Sequence, residues 1–225
     1  MPLPLAAGSL QGLSLLRAGL NRVIGLPDLL ASLGGLRPSK RLRLQVVLLR
    51  DEEGEPVAPL AEVEAALAET ARVLELAART RLVPTGDSLV VTADGPAPAA
   101  ALDAPCTSQG LWRTDLGPAG GFFRGLRVRG GLRFIGRGAP LTVFVVRDVV
   151  GKCGCSLGPL GDYVTVDAEG LGGRTRRILA HELGHSCGLR HKPDERNLMR
   201  PKGPGEELTA WQTAVFRSSR HVTYL

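Results

Sequence analysis

The chain has 225 residues, 44% of them hydrophobic, which suits one good-sized core, or one domain with an appendage, and excludes a disordered polymer. Glycine (29) and proline (16) are abundant while aromatics make up only 4%, so many loops are expected and a stacking platform for single-stranded nucleic acid is not. The net charge of +6 permits attraction to an acidic partner without choosing one, and no run is long and apolar enough for a membrane span.

Residues 1–36 are leucine-rich and punctuated by glycine, Pro27 and Asp28, which predicts one or two short amphipathic helices. These either pack on the main domain, lie on a membrane surface or act as a pro-segment. Met1 to Leu20 makes a poor signal peptide, because it lacks a positive start and Gly8, Ser9, Gln11, Gly12 and Ser14 interrupt its apolar run. The compartment stays open. The basic turn Arg37-Pro38-Ser39-Lys40 marks the boundary to a main domain over residues 37–225.

From Leu42 to Leu49 the pattern alternates and then becomes continuously apolar, as a buried strand does. After the acidic turn Asp51 to Glu55, Pro59 sits at a plausible first helical position, and Leu60, Val63, Leu67, Ala71 and Leu74 form one stripe. A strand around Arg81 to Val91, interrupted by a turn at Pro84 to Asp87, completes a strand, helix, strand unit with an expected right-handed crossover. From Ala93 to Gly138 regularity fails, with Trp112, Phe122 and Phe123 as the large aromatics. A loop of this length suits a cleft rim or an uncommitted surface. Leu141 to Val146 reads as a central strand covered on both faces, and Asp162 to Asp167 as an alternating, half-exposed one. Basic residues gather at Arg37, Lys40, Arg41 and Arg43, at Arg124, Arg127, Arg129, Arg133 and Arg137, and at Arg174, Arg176 and Arg177. They read first as a solvated face, and only second as a nucleic-acid surface.

The next stretch carries the chemistry. A helix is expected from near Thr175 to Gly188, and it places His181 and His185 one turn apart on one face with Glu182 beside the first. Gly188 can take the left-handed conformation that ends a helix, so the chain can double back and bring in His191. Three imidazoles around a zinc ion leave one position for a water whose pKa falls to about 7, and Glu182 is placed to take its proton. Drawn at random from this composition, the full spacing His-Glu-x-x-His-x-x-Gly-x-x-His arises on the order of once in a hundred thousand chains, which sets aside an ordinary polar helix end.

Ala180, Gly184 and Cys187 form a small-residue face away from the histidines. Cys187 is therefore scaffold, either bridged to Cys153 or Cys155 or left as a buried thiol, and Cys106 lacks the surroundings of a zinc-blocking thiol. Residues 206–219 carry Leu208, Trp211 and Val215 on one stripe and should close the fold as a helix, with His221 beyond it on the surface.

The residues His181 to His191, followed by Asn197-Leu198-Met199-Arg200-Pro201, resemble the zinc signature and Met-turn of metzincin metallopeptidases, the matrixin-like ones most nearly. Lys192 after the third histidine and Arg200 after the methionine depart from the matrixin pattern. The resemblance implies a single α/β domain with a mixed sheet of four to five strands, an antiparallel edge strand, an active-site helix and a C-terminal helix. It also implies zinc as cofactor, Met199 beneath the three histidines, a polypeptide substrate, and a substrate strand at residues 158–165, with Gly158, Tyr163 and Thr165 as binding residues. A monomeric zinc endopeptidase is the expected function. The alternatives are a silent zinc-stabilised binding module and, further off, a basic nucleic-acid-binding protein. Glu182 speaks against the module, since a structural site needs no such carboxylate.

Overall fold

The computed structural model describes residues 25–106, 117–128, 138–172 and 177–224. The segment before residue 25, Trp112, Arg129, Arg133, Arg137, Arg174, Arg176 and the expected helix start at Thr175 lie outside the described residues.

The sheet is built on β1 (Lys40–Arg50). Leu42 and Leu44 point into the core while Arg41 and Arg43 face water, and from Val46 to Leu49 every side chain is buried because both faces are covered. β1 pairs in parallel with β2 (Thr80–Pro84), β3 (Val90–Pro96) and β5 (Leu141–Val146). The helix α2 (Leu60–Ala78) crosses from β1 to β2 and ends at Arg79 in the left-handed conformation. Pro59 caps this helix rather than starting it, and Leu60 is exposed. The buried face is Val63, Ala66, Leu67, Thr70, Val73, Leu74 and Ala78.

The main sheet has seven strands among the described residues, in the order β2-β1-β5-β8-β7, with β3 and the short β9 (Val222–Thr223) also on β1. The count exceeds the expected four to five because β3 and β9 each pair with only part of β1. β8 (Tyr163–Asp167) runs parallel to β5, and β7 (Gly154–Ser156) runs antiparallel to β8 at the edge. The sheet is thus mixed with an antiparallel edge, but β8 is not the edge, and all five of its residues are buried rather than alternating. Both of its faces are packed: Val164 and Val166 join the core under the helices, and Tyr163 joins the core on the other side.

That second core holds most of what the sequence left irregular. After β3 come α3 (Ala99–Leu102), β4 (Asp103–Pro105) and α4 (Pro118–Leu126), and β4 pairs in parallel with β6 (Asp148–Val150). These pieces are too short to show a period. Phe123 of α4 packs at 4.7 Å on Phe144 and 5.4 Å on Tyr163.

The first core packs α2, α5 (Ala168–Gly172) and α6 (Ile178–Ser186) on the opposite face of the sheet. Cys187 belongs to it, hydrogen-bonded to Ser219, while Cys155 lies against the second core. A bridge between them would have to pass through the sheet, so of the two fates expected for Cys187, a bridge or a buried thiol, the buried thiol is the one found. Cys155 pairs instead with Cys106, leaving Cys187 buried and Cys153 exposed as thiols. Burial pushes the Cys187 thiol up to about 12, so it is inert at neutral pH.

The closing helix α7 (Ala210–Arg217) starts at a capping box between Thr209 and Gln212. Its buried face includes Gln212, Thr213, Ala214, Phe216 and Arg217, so Trp211, expected inside, is 57% exposed. The buried polar groups have work to do, for Arg217 donates to the carbonyls of Ala78 and Pro38. His221, expected on the surface, is fully buried, with Nδ1 2.8 Å from the Ala139 carbonyl. Residues 25–33 form a helix, α1, packed on this end of the domain. Asp28 pairs with the buried Lys40 at 3.0 Å and accepts from the Tyr224 hydroxyl, and Ser32 accepts from Arg217. No helix among the described residues is long and apolar enough to cross a membrane.

Candidate metal centre

The centre starts from how α6 ends. Gly188 has φ +91°, and the amides of Gly188 and Leu189 bond back to the carbonyls of His185 and Gly184 at 2.9 Å each. This is the Schellman arrangement that only a residue tolerant of the left-handed region closes cheaply. It reverses the chain at the histidines, and the strand of backbone that follows carries His191 back over them. The Nε2 atom of His191 lies 3.3 Å from Nε2 of His181 and 3.1 Å from Nε2 of His185.

Two rings are held by their other nitrogen. Nδ1 of His181 donates to the Leu198 carbonyl at 2.8 Å and Nδ1 of His185 to the Leu189 carbonyl at 2.9 Å. With the proton fixed on Nδ1, each Nε2 turns a lone pair inward. Lone pairs converging at such distances repel unless a cation sits among them, so the donor set fits a metal ion and suits nothing else as well. These are the only three His, Cys, Asp or Glu side chains among the described residues that gather so, within 4.8 Å of one another. Burial lowers the pKa of His181 to about 4 and lowers that of His185 too, which keeps both rings in the neutral, ligating form at physiological pH.

Glu182 points from the same helix to the edge strand. A Cβ on Gly154 would stand 2.7 Å from its Cγ, so the side chain lies flat on the backbone of β7, and its carboxylate accepts the Ser156 amide. Burial pushes its pKa up to about 7, with Lys152 pulling the other way. That is the range in which one carboxylate can take a proton and release it again near neutrality. The Ser156 and Ser186 hydroxyls, 2.8 Å apart, tie β7 to α6 a second time.

Beneath the histidines, Met199 is fully buried and its sulfur fills the space a Gly184 side chain would need, 2.6 Å from that glycine's ideal Cβ. The turn that carries it is clamped from both sides. Asn197 and Gln212 exchange amide hydrogen bonds at 2.7 and 3.1 Å, and the Met199 amide donates to Asn197 at 3.0 Å. From the start of α6, Arg177 donates to the carbonyls of Leu198 at 2.5 Å, Arg200 at 2.9 Å and Gly203.

The structure therefore brings His181, Glu182, His185, His191 and Met199 together. It does not bring Tyr163 and Thr165 to an open edge. The Tyr163 ring is in the second core, Thr165 pairs with Cys155 inside the sheet, and Gly158 begins a short 3-10 turn after β7 with φ +68°. Sequence reasoning missed Arg177, Gln212 and Gly154. Arg177 was findable, since it stands four residues before His181 and so on its face. Gly154, between two cysteines, carries no such signal.

No protein-family model matches the chain, and no curated protein matches its sequence. Among solved structures it is similar to metalloproteinase-II from Bacteroides fragilis, with a TM-score of 0.42 and 13% identity over 75% of this chain and 49% of that one. It is also similar to an archaemetzincin from Methanopyrus kandleri, with a TM-score of 0.41 and 17% identity over 80% of this chain and 88% of that one. A zinc-dependent peptidase from Methanocorpusculum labreanum gives a TM-score of 0.40 and 18% identity over 68% of this chain and 86% of that one. The chain spans about half the length of the Bacteroides fragilis protein, 49%.

Proposed function

We propose that this chain is a zinc-dependent endopeptidase of the metzincin kind, with His181, His185 and His191 holding the metal, Glu182 as general base and Met199 as the floor of the site. The observation that carries the reading is the convergence of three imidazole Nε2 atoms beside a buried carboxylate whose pKa stands near 7. A zinc ion in a three-histidine site supplies Lewis acidity to a water and to a substrate carbonyl. Glu182 takes the proton of the attacking water and returns it to the leaving amine. The Ser156 amide holds one carboxylate oxygen in place, and the surrounding burial keeps bulk water from competing for that proton. An extended polypeptide pairs with the side of β7 that no strand among the described residues occupies, the other side being paired with β8. Gly158 then stands at the end of the substrate strand, and Tyr163 and Thr165 support it from one strand further in.

Metal analysis of the purified protein and a mixed-peptide cleavage screen, with and without chelator, test this. One zinc per chain and chelator-sensitive cleavage are expected. Glu182→Gln should keep the zinc and lose about a hundredfold or more in turnover. Zinc bound with no cleavage of any sequence by the unmodified protein would favour the binding module instead.

A further inference from the structure

Lys152 stands in the turn that leads into the edge strand of this site and makes no ion pair with a carboxylate among the described residues. It closes the turn between β6 and β7, where its amide donates to the Val149 carbonyl at 2.8 Å and Gly151 takes φ +74°. The side chain is exposed, and its Nζ lies 3.4 Å from Cys106 Sγ of the Cys106–Cys155 disulfide. Two residues on, Gly154 touches Glu182. The ammonium rests against the Cys106–Cys155 bridge at the head of β7, two residues from the glycine on which Glu182 lies.

The turn that carries Lys152 leads directly into β7, the edge strand along which the polypeptide is proposed to lie. Glu182 does not neutralise the ammonium, being turned onto the Ser156 amide, and no carboxylate among the described residues lies within ion-pair distance of Lys152. The acids of the loop beyond His191 are already engaged: Glu195 with Arg200 at 2.9 Å, and Asp194 with the Arg196 amide at 3.0 Å. Arg190 and Lys192, on either side of His191, are exposed and add to the same positive field.

Resting on the peptidase reading above, we infer that Lys152 is a specificity residue whose ammonium receives a carboxylate of the bound polypeptide close to the scissile bond. The carboxylate can belong to an internal aspartate or glutamate, or to the substrate's own C-terminus. Both present the same anion to the same cation, and they differ in whether the peptide must end there.

Binding and cleavage separate this claim from the one it rests on. Binding is read by fluorescence anisotropy on zinc-loaded Glu182→Gln protein, with three labelled peptides of one sequence: an acidic one with an amidated C-terminus, its glutamine counterpart, also amidated, and the glutamine peptide with a free C-terminus. One or both carboxylate peptides should bind about fivefold or more tighter than the amidated neutral one, with a margin that shrinks as salt is raised. The acidic amidated peptide doing so names an internal side chain, and the free-terminus peptide the chain end. Adding Lys152→Gln should bring the ratio to about one, Lys152→Arg should keep it, and Lys152→Glu should turn it below one. Equal binding of all three peptides, binding of none, or a preference that survives Lys152→Gln overturns the inference. If the preference behaves as expected while unmodified protein cleaves none of the peptides and no library sequence, the peptidase reading fails and the carboxylate subsite stands.

Discussion

Gly154 and Gly184 decide the site by what they lack. One leaves room for the Glu182 side chain to lie on β7, the other for the Met199 sulfur to rise under the histidines. Gly154→Ala puts a methyl into the space of a movable side chain, so the fold survives and the base shifts. Its zinc content should be unchanged and its kcat lowered about tenfold or more, since small misplacements of a reacting group are costly. A variant with full kcat would show that Glu182 has a second productive position. The juxtaposition of His181, Glu182 and His185, proposed above as ligands and base, was legible in the sequence because helical spacing alone brings them together. The residue that seats Glu182 was not, because contact between a strand and a helix some thirty residues apart leaves no local period.

At the scale of elements, α6 and the turn holding Met199 are joined through Arg177, which is buried and spends its donors on three backbone carbonyls. Burial lowers its pKa, yet an arginine stays charged at any physiological pH. Arg177→Met keeps the stem and strips the donors, leaving the Arg200 and Gly203 carbonyls without theirs at about 1–3 kcal/mol apiece, less whatever water restores, while the Leu198 carbonyl keeps only the His181 ring. The expected loss is about 3 kcal/mol in urea unfolding, together with weaker zinc retention, because the Leu198 carbonyl also holds His181. Undiminished stability would mean that the clamp is idle. The strands with strong apolar runs, β1 and β5, were readable. β8 was misread as a half-exposed edge, since alternation of tyrosine, valine and threonine looks the same whether the outer face meets water or a second core. α7 misled for the same reason, with Gln212 and Arg217 buried as hydrogen-bonding parts and Trp211 left outside.

For the molecule as a whole, the metal-free state should carry a pH signature of its buried site. His181, ordinarily at 6.5, is lowered to about 4, so its contribution is intact above 6.5 and is lost as pH falls towards 4, where the unfolded chain takes a proton the fold refuses. His185 acts in the same sense. Glu182 is opposite, since it is raised from 4.5 to about 7, so its contribution is present below 4.5 and is lost as pH rises through about 7. Between 4.5 and 6.5 the glutamate offsets part of the histidine slope. Removing it with Glu182→Gln should steepen the rise of unfolding free energy with pH by about 1.4 kcal/mol per pH unit, measured by urea titration in chelator. Parallel curves for the two proteins would sink this account. The cysteine pairing is a whole-molecule property too, and no spacing rule could have given it. Which thiols meet depends on which side of the sheet each one lands, and that is known only once both cores are built.

The Leu198 carbonyl accepts from Arg177 and from the His181 ring at once. That ring is thereby aimed before any ion arrives, by a guanidinium that itself never touches metal. The seat is preorganised, so loading and stripping the cation should redraw little of the backbone, and amide hydrogen exchange along residues 197–200 should stay nearly as slow in the empty protein as in the filled one.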